Sequence, residues 1–284
     1  MDQGLQAAKR HRLGTTFLIP DLALSLAELW RRRDLLWHMT VRHLRSQYKQ
    51  SVLGYAWALL NPLSMMLILS FVFSQILLID RLGNIDVPYP LFLLVGLLPW
   101  IFFSSAIFSA TDSVVGGASL VTKVYFPREI LPTAAVFTKV VDLAFGLLIL
   151  VGLMVYLGQA PTVTILWVPL IFLTHLLFTL GISFPLAALN LYFHDVRFLV
   201  GVTLTLLFYM TPIIYPIDIV PERYHLLFEL NPNSLFINAY RRVVLMDIGV
   251  GVDRLLLGIA IAVLTFLVGY YLFKKMEPGF ADKI

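Results

Sequence analysis

Long apolar runs separated by polar breaks set the pattern of this chain. A helix needs about 20 mostly apolar residues to cross a bilayer, and six runs meet or approach that length. The first lies within the charge-free run Ser51–Ile79, the second covers about Val87–Thr111, and the third about Pro132–Leu157. The fourth lies within Val163–Phe193, the fifth covers about Phe198–Tyr215, and the sixth is Leu255–Phe273. The connections Asp80–Asp86 and Gly158–Thr162 are short, which favours antiparallel neighbours. The pattern predicts an all-α polytopic membrane protein with six transmembrane helices.

Two segments depart from it. Leu26, Leu29, Trp30, Trp37, Val41, Leu44 and Tyr48 recur at helical steps, while Arg31, Asp34, His38, Arg42, Arg45 and Lys49 follow the same steps on another face. That is a basic amphipathic helix, in one or two pieces, lying in the membrane interface with its tryptophans at headgroup level. Gly54 marks the turn into the bilayer. The chain thus divides into residues 1–50, an interfacial N-terminus, and 51–284, the six-helix domain. Pro216–Arg254 is too polar to span and too apolar for an ordinary loop. Its prolines separate two amphipathic pieces, about Glu222–Glu229 and Ser234–Met246. Irregular backbone is not tolerated against lipid, so these pieces lie at the far interface or re-enter while buried against other helices.

Composition supports a bilayer environment. Only 13% of the 284 residues are charged and 59% are hydrophobic, against about 25% charged in soluble domains. The sequence pI near 9.3 raises nucleic acid as a partner, but the charge distribution argues otherwise. Nine of the 21 Lys and Arg precede the first span. With both termini on one side, 15 basic residues fall on that side and five on the other. The positive-inside rule places both termini in the cytoplasm. Met1–Leu13 lacks an apolar core of the signal-peptide kind, so the first span is expected to persist in the mature protein. The absence of cysteine excludes disulfides and cysteine metal sites.

Catalytic signatures are missing. There is no GxxxxGK[ST], HExxH or GxSxG, and the six histidines are scattered. An enzyme reading, such as a glycosyl- or acyltransferase, would need clustered acids or histidines at one membrane face. Within the spans, Lys139 and Asp142 stand one turn apart on the third helix. An intramembrane ionisable pair is a functional candidate. It is also near enough to the cytoplasmic end to be a structural or headgroup-facing pair.

Four segments carry a resemblance. RHLRSQYKQSVLGYAWALLNP (Arg42–Pro62) resembles the entry to the first span of type-2 ABC exporter permeases of polysaccharides, the O-antigen, capsule and teichoic acid group. KVYFPREILP (Lys123–Pro132) resembles their loop between spans two and three. His194-Asp195-Val196-Arg197 resembles their loop between spans four and five, and NPNSLFINAYR (Asn231–Arg241) the segment before the last span. The matches occur in the family's order.

The resemblance implies a homodimer in a bacterial inner membrane, docked on two copies of a separate ATPase subunit that holds ATP and Mg. No cofactor is expected on this chain. It assigns ATPase coupling to Lys123, Tyr125, Phe126, Arg128 and Glu129, with His194, Asp195 and Arg197 adding contacts. It makes 216–254 an outer gate segment containing Asn231, Pro232, Tyr240, Arg241 and Arg242. The two arginines would hold the segment against an acid or meet passing anionic groups. The cargo implied is a polysaccharide on an undecaprenyl-type lipid. Arg42, Arg45 and Lys49 are candidates to gather its headgroup, or bulk anionic lipid, at the interface. A sliding polymer needs weak contacts, and aromatic faces can supply them. Tyr55, Trp57, Trp100, Phe102, Phe103, Phe208 and Tyr209 are the path candidates. Export of small lipids or drugs is the rival transport reading, and a scaffold without transport is another.

Overall fold

The computed structural model describes residues 31–49, 51–78, 87–123 and 126–283. In chain order the helices are α1 (Arg33–Tyr48), α2 (Ala56–Ser70), α3 (Tyr89–Gly116), α4 (Ala118–Lys123), α5 (Ile130–Tyr156), α6 (Val168–Tyr192), α7 (Val196–Met210), α8 (His225–Glu229), α9 (Pro232–Val244), α10 (Val252–Met276) and α11 (Phe280–Lys283). A π-helical stretch, Phe71–Ile76, extends α2, and a short 3-10 turn, Val163–Trp167, leads into α6. Leu26, Leu29, Trp30, Tyr125 and the connection Asp80–Asp86 fall outside the described residues. So does the side chain of Lys123, whose backbone ends α4.

Among the described residues, five helical stretches are long and apolar enough to cross a membrane: Ala56–Ile76, Tyr89–Thr111, Ile130–Tyr156, Val163–Tyr192 and Val252–Gly279. The fifth expected span is different. It is helical only over Val196–Met210, about 22 Å at about 1.5 Å per residue, against a hydrocarbon core about 30 Å thick. Pro212 lacks an amide hydrogen, so the helical ladder stops near it. Thr211–Ile214 is then buried and non-helical.

The bundle is built around α3. Most of α3 is buried, and it packs on α5, α6, α9, α2 and α7. It carries little charge, with Asp112 near its end, so an interior position costs it little. By contrast α2 and α7 have few fully buried residues, and Trp57, Leu60, Leu67 and Ile68 of α2 and Phe198, Leu199, Val202 and Leu206 of α7 are exposed. The expected amphipathic helix appears as α1, lying across α5. Gly54 sits at φ +52° between α1 and α2, a left-handed turn that glycine adopts without a Cβ clash.

The tightest helix pair is α6 with α10. A Cβ on Gly269 would overlap the carbonyl oxygen of Gly181, and a Cβ on Gly181 would lie 2.6 Å from the backbone of Phe266. Small residues let helix backbones approach closely in membranes. Around this seam, Phe184 packs edge to face on Tyr270 and tilted against Phe273. Gly269→Ala must therefore push the two helices apart. It is expected to cost at least the 1–3 kcal/mol typical of overpacking, at about that scale, seen as a lowered unfolding temperature of the purified chain in detergent. Gly152→Ala, which meets nothing within 4 Å, should leave that temperature unchanged or slightly raised.

Candidate functional site

Basic residues of α1 form a recess where α1 turns into α2. Arg42, Arg45 and Lys49 line it together with Tyr48, Gly54 and Tyr55, around a volume of about 530 Å³. All three cations are exposed, and none has an ion-pair partner among the described residues. Helical spacing explains the grouping, since residues three and four apart share a face. The turn at Gly54 folds Tyr55 back over Tyr48, with ring centroids 4.8 Å apart.

Behind this recess sits the Lys139–Asp142 pair, N–O distance 3.1 Å. It is not alone. Lys139 Nζ donates to Gln47 Oε1 at 2.6 Å, and Asp142 accepts from Tyr48 Oη at 2.8 Å and from Gln47 Nε2 at 3.1 Å. The pair thus anchors the end of α1 to α5. Burial, helped by the hydrogen bond to Asp142, raises the Tyr48 hydroxyl above its ordinary value, so it stays a donor. His43 is held below its usual value by burial first, then by Lys139 and Arg42. A cavity of about 300 Å³ opens beside the pair, lined by Trp57, Asn61, Phe102, Lys139 and Asp142.

The path candidates separate into two groups. Tyr55, Trp57 and Tyr209 are exposed. Trp100, Phe102 and Phe103 are interior: Phe103 stacks on His175 and Phe178, while Phe102 packs at a tilt against Phe172 and Trp100 against Phe208. Their rings pack the subunit, and Phe102 alone of the three borders the α1–α2 cavity. Phe208 is half-buried.

The loop between the second and third spans also turns inward. Phe126 is buried beneath Leu35, Leu36 and Met39 of α1. Glu129 is 1% exposed. It accepts hydrogen bonds from Tyr270 Oη at 3.0 Å and Lys274 Nζ at 2.8 Å. Lys274 also meets Glu277 at 3.0 Å. Arg128 donates to the Glu277 carbonyl and lies over the Phe280 ring. Phe126 and Glu129 therefore hold the loop against α1 and α10 from inside and present no outward face. At the next loop, His194, Asp195 and Arg197 are exposed. Arg197 pairs with Asp112 at 3.1 Å and lies over the Phe108 ring, while Asn190 ties the turn to the Thr111 carbonyl.

At the opposite end, Arg241 is 3% exposed. Its two terminal nitrogens donate to the carbonyls of Pro212 and Ile213. Its guanidinium lies 3.7 Å from the centroid of Phe92, in space left open at Gly96. No carboxylate pairs with it among the described residues. The Ile214 carbonyl accepts from Tyr89 Oη at 2.7 Å. Asn231 caps α9 through the Asn233 amide and donates to Thr211 Oγ1 at 2.8 Å. Pro232 opens α9, where its missing N–H costs nothing. Tyr240 is buried beside His175, and Arg242 faces a separate recess.

Sequence reading missed Tyr89, Gln47, Tyr270, Lys274 and Glu277 as partners. Lys274 had one visible signal, a position in the last turn of a span one helical step before an acid.

Arg241→Met strips two buried carbonyls of their donors, at about 1–3 kcal/mol each. Amide exchange in residues 208–216 is expected to quicken. Arg241→Lys keeps the charge but not the planar fork, and should fail to restore protection. Wild-type exchange in Arg241→Lys would show that the fork is not what holds the turn. For Glu129 and Lys274, removing one partner of a buried pair costs about 3–5 kcal/mol. Glu129→Gln with Lys274→Met should destabilise the purified chain by less than the two single changes added together.

Residues 34–245 match the family described as ABC-2 type transporter. The chain is 31% identical over 259 residues to the O-antigen export system permease protein RfbA of Myxococcus xanthus, covering 90% of this chain and 98% of that protein. It is 31% identical over 251 residues to a Klebsiella pneumoniae protein of the same name, covering 88% and 94%. To the polysialic acid transport protein KpsM of Escherichia coli it is 24% identical over 245 residues, covering 84% and 92%. With its all-helical membrane bundle and a family match across most of its length, the chain belongs to the ABC-2 type transporters.

Proposed function

We propose that this chain is the permease subunit of an ATP-driven exporter that moves lipid-linked polysaccharide across the bacterial inner membrane. It works as a homodimer with both termini in the cytoplasm, on two copies of a separate ATPase subunit that binds ATP and Mg. The relatives named for O-antigen export align over nearly their whole length, which supports polysaccharide over small lipids or drugs.

The observation that carries the reading is the recess at the α1–α2 turn. Three cations without an ion-pair partner among the described residues surround it, and the exposed rings of Tyr55 and Trp57 lead away from it along α2. A phosphate or pyrophosphate headgroup suits the cations, while a sugar chain suits the rings. Neutral polar groups such as Asn61 on the exposed side of α2 add hydrogen bonds that a sliding polymer can exchange. Coupling to the ATPase then falls to the two loops, with Lys123, Tyr125 and Arg128 in one and the exposed His194, Asp195 and Arg197 in the other. Phe126 and Glu129 pass that motion into α1 and α10.

Deleting the gene in its host should trap lipid-linked glycan on the cytoplasmic side. Complementation with this chain should clear it. A basic residue near a membrane surface contributes about 1 kcal/mol toward an anionic headgroup. Replacing Arg42, Arg45 and Lys49 by Gln together should thus weaken capture about 100-fold and leave glycan trapped, with the chain still present in the membrane. Normal surface glycan in the deletion strain, with nothing trapped inside, would remove the polysaccharide reading.

A further inference from the structure

A second recess lies at the end of the bundle away from α1, between α9, the start of α10 and the turns before α8. Its volume is about 540 Å³, within the range of about 300–1,000 Å³ usual for ligand pockets. Three carboxylates line it, Asp218, Glu229 and Asp253, and so do two guanidinium groups, Arg242 and Arg254. Opposite charges that share one recess would ordinarily pair. Here no two of the five form an ion pair, and none pairs elsewhere among the described residues. Two buried atoms are also unsatisfied. Ser234 is 3% exposed, lines the recess, and its Oγ has no hydrogen-bond partner. Arg242 reaches the Gly249 carbonyl only at 3.4 Å, and its Nε is buried without a partner. Buried polar groups are normally satisfied; among the described residues these two atoms are not, and both belong to residues that line the one recess, where a ligand that accepts hydrogen bonds would supply the missing partners.

We propose that this recess holds the headgroup of a zwitterionic aminophospholipid, its phosphate on Arg242, Arg254 and Ser234 and its ammonium on the three carboxylates. A simple anion would leave the acids facing one another, and a metal ion would leave the arginines opposed to it. A neutral glycan has no use for separated charges of both signs. Lipid is the source because apolar surface adjoins the recess: Leu257 of α10 lines it and is exposed, and Leu264, two turns on along the same face of the helix, is exposed as well, where acyl chains would lie. The site is distinct from the α1–α2 recess at the other end of the bundle and does not depend on which cargo is exported. A lipid bound here would brace α9 against α10 on the side of the gate segment.

The test is native mass spectrometry of the full chain purified in detergent, with phosphatidylethanolamine, phosphatidylglycerol and phosphatidylcholine supplied in equal amounts. Phosphatidylethanolamine should be retained at least ten-fold over the others. Phosphatidylglycerol lacks the cation, and the quaternary ammonium of phosphatidylcholine has no N–H to donate. Asp253→Asn combined with Arg254→Gln should lower that retention about ten-fold. In the unaltered chain, a phosphatidylethanolamine carrying a photoreactive headgroup should label peptides within 216–258, a measurement that needs no variant to fold. Equal retention of the three lipids, labelling confined to other segments, or displacement of the lipid by host oligosaccharide would overturn the proposal.

Discussion

A backbone that leaves its helix inside a membrane protein has no water to satisfy it, and the turn at Thr211–Ile214 meets that constraint in full. An unmet buried carbonyl costs about 1–3 kcal/mol, and three successive ones are exposed by the end of α7. Arg241 covers those of Pro212 and Ile213, and Tyr89 covers that of Ile214. Much of the far end of the bundle follows from this. To deliver Arg241, α9 must re-enter and bury its face against α3. Gly96 has to leave room for the guanidinium, whose charge is offset by the Phe92 ring beneath it. Asn231 then fixes where α9 starts by reaching Thr211. A short seventh helix and a buried ninth are two sides of one arrangement.

The other end of the bundle is tied by a buried ion pair, with Arg128 adding a bond to the Glu277 carbonyl. Glu129 is buried against Lys274 and Tyr270, so the loop after α4 and the end of α10 move together. The α6–α10 glycine seam makes those two helices a single stiff unit. That unit begins beside α9 and ends at Glu129. Under the proposed export cycle, a push on the loop would reach the gate segment along a continuous packed path. Continuity of packing is a necessary condition for such coupling; it becomes sufficient only when both ends are shown to bias one two-state element.

Helix type and the place of the five long spans were legible because apolar runs near 20 residues have few other solutions, and the α1 face and the turn at Gly54 were legible from periodicity and one glycine. The break in the fifth run was not. Thr211–Tyr215 is as apolar as a span, and only Pro212 hints at the exit, a weak hint since Pro62, Pro99 and Pro185 all sit inside continuous helices. Arg241 was visible as a charge but its partners were not, because backbone carbonyls leave no mark in a sequence. The same holds for Glu129: a carboxylate beside Arg128 in a polar loop reads as surface, and only the fold reveals Lys274 some 145 residues away. Aromatics were the least readable, since Phe102 and Tyr55 look alike until burial separates them.

That separation bears on how a polymer could pass. Rings buried against His175 and Phe236 hold helices together and have no face to offer a sugar. The exposed rings of Tyr55, Trp57 and Tyr209 do. Charge is divided in the same way. Lys139 is neutralised by Asp142 and occupied by Gln47, so the cavity behind the α1–α2 recess presents little net charge, whereas Arg42, Arg45 and Lys49 at its mouth have no ion-pair partner among the described residues. A phosphate headgroup arriving from the interface would be drawn to the mouth, and the sugars beyond it would meet surfaces that attract weakly. Capture strong at the headgroup and weak along the chain is the condition under which a long polymer enters and still moves. A fourth cation deeper in the path, unpaired, would hold an anionic repeat unit in place; the ion pair and hydrogen bond that occupy Lys139 remove that obstacle.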